Sequence, residues 1–136
     1  MLRSGNSIYA IATDDNHNKY PAETAKCDSF GGYVMIKANE LKYNSIADAL
    51  FKGNFYSSMG PEIYELYVEN NQIYISCSEA VKITANKGVR RSEAVLAEYG
   101  EVVTEASFKF EDDDIYIRVT VVDKYGRCAN TNAYFI

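Results

Sequence analysis

From Tyr64 to Val121 the chain alternates, and this alternation limits the fold more than any other feature. Tyr64, Leu66 and Val68 are expected to face one way, and Glu65, Tyr67 and Glu69 the other. Successive side chains of a strand point to opposite faces, so this pattern suits strands with one buried face. Asn70-Asn71 can supply the positive φ angles of a tight hairpin, and Ile73, Ile75 and Cys77 continue on the return strand. Val81, Ile83 and Ala85 form a third run, and Ala106, Phe108 and Phe110 a fourth. Ile115, Ile117, Val119 and Val121 form a fifth, expected to point inward. Between these runs, Glu111 to Asp114 ("EDDD") and "DKYG" read as turns, and "NAYFI" as a last strand. Residues 89–100 stay open, because "SEAVLAEYG" also suits a short helix capped by Ser92 and ended by Gly100. Short strands at regular spacing predict an antiparallel β-sandwich, Ig-like, over residues 61–136.

Residues 1–60 have a different texture. Ile8-Tyr9-Ala10-Ile11-Ala12 is a continuous apolar run, as expected of a strand buried on both faces. A long polar loop from Asp14 to Gly32 follows, and loops of this length are often functional. Tyr33-Val34-Met35-Ile36 reads as a second buried strand. In "NSIADALFKGN", Asn44 or Ser45 can cap a helix, Ile46, Ala49 and Leu50 repeat at helical spacing, and Gly53 suits its left-handed end. Strand, loop, strand and helix in that order is α/β grammar. Two strands and one helix cannot cover both faces of a parallel sheet, so this half reads as an incomplete unit. The predicted class is therefore α+β, mainly β, with segments 1–60 and 61–136.

Charge narrows the function. The 136 residues carry a formal net charge of −5, and no basic cluster exists beyond Arg90-Arg91. Nucleic acid and anionic membrane surfaces both require concentrated Lys and Arg, so neither is an expected partner. No stretch approaches the ~20 apolar residues of a spanning helix, and "IYAIA" is shorter than the ~7–15 residues of a signal-peptide core. Cys27, Cys77 and Cys128 show no metal-ligand spacing and read as reduced thiols of a cytoplasmic protein.

Chemistry concentrates at Asp15-Asn16-His17, which contains the chain's one histidine. A carboxylate and an imidazole two residues apart, at the carboxyl end of a strand, can converge on one cation. Such oxygen and nitrogen donors suit zinc, manganese or iron. Asp14 can add a ligand or hold one in place. Taken alone, the same four residues are also ordinary turn chemistry. With a single histidine, no nucleophile–histidine–acid set is arguable. Ser57-Ser58-Met59-Gly60-Pro61 reads as a polar turn, Arg90-Arg91 as solvated surface, and the acidic run as a charged turn lacking the spacing of a calcium loop. Gly31-Gly32 is too little for a phosphate-binding loop.

Several features in series carry a family likeness. They are "YAIATDDNH", the Gly31-Gly32 strand start, "SIADALFKGNFYSSMGP" and the closing "DKYGRCANTNAYFI". Together they resemble the C-terminal part of the polymerase and histidinol phosphatase (PHP) superfamily, closest to its CehA/McbA-like branch. The resemblance implies that residues 1–60 are the last strands and helix of a PHP-type β/α barrel. It also implies that Asp15 and His17 are metal ligands, whose companions come from upstream histidine motifs absent here. The expected function is that of a C-terminal fragment of a metal-dependent phosphoesterase, hydrolysing phosphate esters with metal-bound water. On that reading the partners are the missing N-terminal barrel portion and a small phosphorylated substrate, and the chain alone is inactive. The alternative is a non-catalytic β-sandwich that binds a partner or assembles, including as a homodimer through unpaired strand edges.

Overall fold

The computed structural model describes residues 1–89 and 91–136. Its strands are β1 (Tyr33–Ile36), β2 (Phe55–Ser58), β3 (Ile63–Glu69), β4 (Gln72–Ala80), β5 (Lys82–Lys87) and β6 (Glu93–Leu96). They continue with β7 (Val103–Lys109), β8 (Tyr116–Val122), β9 (Cys128–Thr131) and β10 (Tyr134–Phe135). The α-helix α1 (Tyr43–Lys52) joins β1 to β2. The chain is thus mainly β, with every strand pair antiparallel. One sheet runs β1-β2-β9-β8-β5-β6 with β10 beside β8, and the other runs β3-β4-β7.

The two sheets share one apolar core. Ile73, Ile75 and Cys77 of β4 and Phe108 of β7 meet Ile83, Ala85, Ile117, Val119, Val121 and Ala129 of the larger sheet. These are inward positions read from the alternation, whereas Tyr64, Val68 and Ile115 are exposed. Tyr64 is exposed because the pairing of β3 with β4 slips between Ile63 and Glu65, which turns the extra residue outward. Ile115 is also exposed, at φ 63°, because it follows a 3-10 turn at Asp112–Asp114 and precedes β8. Asn70 and Asn71 both take positive φ in the β3–β4 hairpin, as expected. Residues 93–96 resolve as a strand on β5, not a helix.

The first segment departs further from expectation. Residues 5–32 contain no strand, and Ile8, Tyr9 and Ile11 are exposed. An apolar run becomes a buried strand only where a neighbour covers it, and no described strand pairs with this one. The helix appears as expected and ends at Gly53 in the left-handed conformation. However, its N-cap is Lys42, with no side-chain hydrogen bond, rather than Asn44 or Ser45. No break in hydrogen bonding separates residues 1–60 from 61–136, since β2 pairs with β9 through Tyr56–Thr131, Ser57–Asn130 and Ser58–Ala129. Among the described residues no helix is long and apolar enough to cross a membrane.

Charge is also buried. Asp114 is fully buried and Lys87 nearly so, with Lys87 Nζ 3.7 Å from the Asp114 carboxylate. Arg91 pairs with Glu111 and Asp113 and approaches Asp114 Oδ1 at 3.4 Å. Arg91 is a surface residue, as expected, and the acidic run supplies its ion-pair partners. Arg90 lies outside the described residues.

Two outcomes test this packing. Ile117→Ala should lower unfolding free energy by about 2–5 kcal/mol in urea titrations, through lost burial and the cavity left behind. Burial pushes the Cys77 thiol up to about 11, while Cys27 and Cys128 are partly exposed. A thiol reagent at pH 8 should therefore modify Cys27 and Cys128 first, and Cys77 only after denaturant is added.

Candidate metal site

The segment leading to the histidine tip is held by close approaches of a side-chain ring and of backbone. The Tyr9 ring meets Phe55 edge-on at 5.9 Å, and its hydroxyl donates to the Lys52 carbonyl at 3.2 Å. A Cβ on Gly53 would lie 2.4 Å from that ring, so only glycine fits there. Further along, a Cβ on Gly32 would lie 2.6 Å from the Thr13 carbonyl oxygen. Since Ile36 pairs with Phe55 and Gly32 precedes β1, residues 9–13 run back along the β1–β2 hairpin.

Beyond Thr13 the loop closes through carboxylates. Asp14 Oδ2 accepts the Phe30 backbone N–H at 2.5 Å. Asp28 Oδ2 accepts the His17 backbone N–H at 2.9 Å and lies 3.8 Å from His17 Nδ1. Asn16 Oδ1 accepts the Asn18 N–H at 2.7 Å, an Asx turn. Asp15 and Asn18 both adopt positive φ.

His17 is held beside Asp28, eleven residues away, while the exposed Asp15 makes no side-chain hydrogen bond among the described residues. Asp14 serves as a loop staple. Sequence reasoning missed Asp28, because no local spacing marks it; the unusual loop length was the only hint. Asp28 Oδ1 is buried and has no hydrogen-bond partner among the described residues. The donor count does not suffice for a catalytic ion: among the described residues, no group of three or more His, Cys, Asp or Glu side chains converges. Coordination normally takes three or four protein donors, so no reaction step follows from this tip by itself.

The other candidates serve the fold. Ser58 is buried, donating to the Pro61 carbonyl at 2.7 Å and accepting the Gly60 N–H at 2.9 Å. Beside this turn lies a cleft of about 440 Å³ where Gly60 and Glu62 face Glu79, Lys124 and Arg127. Its wall is set by Asp123, which accepts the backbone N–H groups of Tyr125 and Arg127 and the Arg127 Nε–H. Burial pushes the Asp123 carboxyl up, but these donors and the guanidinium outweigh it and hold the carboxyl below its usual value. The charges of this cleft are mixed, and Arg127 is spent on Asp123.

No family model matches this chain, and no curated protein or solved structure matches it either.

The Asp123 arrangement gives a pH test. A carboxyl with a depressed folded-state pKa stabilises above its unfolded value and loses that contribution as pH falls through the folded one. Asp123→Asn should be less stable than the parent at pH 7, and the gap should close below about pH 4. Urea titrations from pH 7 to pH 2 measure this, and a gap unchanged at pH 2 would contradict it.

Proposed function

We propose that this chain is the C-terminal portion of a PHP-type metal-dependent phosphoesterase. On this reading, it contributes Asp15 and His17 to a divalent-metal site, with zinc, manganese or iron as the ion. The carrying observation is the tip itself: the exposed Asp15 and a more than half-exposed His17 imidazole lie in one loop, with Asp28 beside the imidazole. Such a tip suits a shared site whose other ligands come from outside this chain. Its surroundings support the same reading. β1 is the outermost strand of its sheet, and Ile8, Ile11, Leu41, Tyr43 and Phe51 are exposed nearby in sequence, as expected of surface that a barrel would cover. The family likeness supplies the reaction class, hydrolysis of small phosphate esters in a cytoplasmic setting, and residues 61–136 would be an appended Ig-like sandwich.

A second reading has its own support. The two sheets enclose one continuous core without help from residues 1–32. A non-catalytic sandwich that binds or assembles, with strand-edge homodimers among its forms, accounts for that core and leaves the tip idle.

The readings separate in one experiment. The purified chain, loaded with Mn²⁺ or Zn²⁺, should show no phosphodiesterase or phosphatase turnover. Mixing it with a polypeptide that carries the upstream histidine motifs of the family should produce turnover, lost by at least about a hundredfold in His17→Ala. Turnover by the chain alone that disappears in Asp15→Ala would overturn its proposed inactivity. Reconstituted turnover indifferent to both Asp15→Ala and His17→Ala would overturn the ligand assignment.

A further inference from the structure

The outer face of the three-stranded sheet carries side chains in rows set by its register. One row is Glu69–Gln72–Lys109, in which opposite charges sit on the two edge strands. The next row is Tyr67–Tyr74–Ser107, and the next Glu65–Ser76–Glu105. Tyr67 and Tyr74 stack with centroids 5.0 Å apart and planes inclined by 11°. The small Ser76 and Ser107 leave a hollow beside them, and the resulting groove holds about 320 Å³.

The charge in this groove is one-sided. Glu65 and Glu105 flank Ser76, and among the described residues no Lys or Arg lines the groove. Among the described residues neither carboxylate belongs to an ion pair. Strands lie about 4.8 Å apart, so the backbones of Glu65 and Glu105 stand about 10 Å apart across β4, room for one ammonium head between the two side chains. The Glu69–Lys109 row carries opposite charges on the two edge strands, whereas the Glu65–Glu105 row carries like ones. Tyrosine rings complete the chemistry, because their electron-rich faces attract cations.

We infer that this groove binds a small organic ammonium ion, held between the Glu65 and Glu105 carboxylates and against the Tyr67–Tyr74 pair. The site lies on a sheet that the histidine tip does not touch, so it stands whether or not the phosphoesterase reading does.

Titration of the purified chain with spermidine and with tetramethylammonium, followed by calorimetry and by NMR of the tyrosine rings, tests this. Saturable binding in the millimolar range or tighter is expected, with shifts at Tyr67 and Tyr74 and weakening as salt is raised. Glu65→Gln and Glu105→Gln should each weaken binding on the order of tenfold. Tyr67→Leu, at an exposed ring, should weaken it severalfold, whereas Glu69→Gln should leave it within about twofold. No saturable binding, equal loss in Glu69→Gln, equal affinity for the uncharged isostere 3,3-dimethylbutanol, or binding of a neutral hexose instead of the amines would each overturn the assignment.

Discussion

The pairing of β2 with β9 joins the two ends of the chain, and the rest of the arrangement hangs on it. Through that ladder the β1–β2 hairpin becomes part of the larger sheet. The joint is reinforced at its side: the buried Asn132 amide donates to the Gly53 and Phe55 carbonyls, both at 3.0 Å. These two carbonyls sit where α1 ends and β2 begins, so one amide fixes the junction that also receives the Tyr9 ring. A buried amide serving two carbonyls is specific in distance and direction, which apolar packing alone is not.

Most of the second half was legible because a strand buried on one face must alternate. Ile73, Ile75, Cys77, Phe108, Ile117, Val119 and Val121 all lie where that rule puts them. Tyr64 escaped it because a bulge adds a residue that periodicity cannot foresee. Ile8–Ala12 misled for a different reason. An apolar run reports what a segment would bury, while the strand state depends on a neighbour that supplies hydrogen bonds. Residues 93–96 were ambiguous because a four-residue edge strand is too short to display a period.

The tip was only half legible. Asp15 and His17 stand out in sequence because the chain has one histidine, yet the carboxylate that meets it is Asp28, brought back by loop closure. Contacts between residues eleven apart in an irregular loop leave no periodic trace. The same limit hid Arg91, whose acidic partners lie twenty or more residues ahead. In both cases charge found its partner through the fold, and a one-dimensional reading saw two unrelated surface groups.

The close approaches at Gly32 and Gly53 have a wider consequence. They fasten the histidine-bearing segment beside β1 and β2 through the Tyr9 ring at Gly53 and the Thr13 backbone at Gly32, without drawing on the core cluster between the two sheets. That segment can therefore be altered without touching the core cluster beneath it, which leaves the tip and its support separable parts of one molecule.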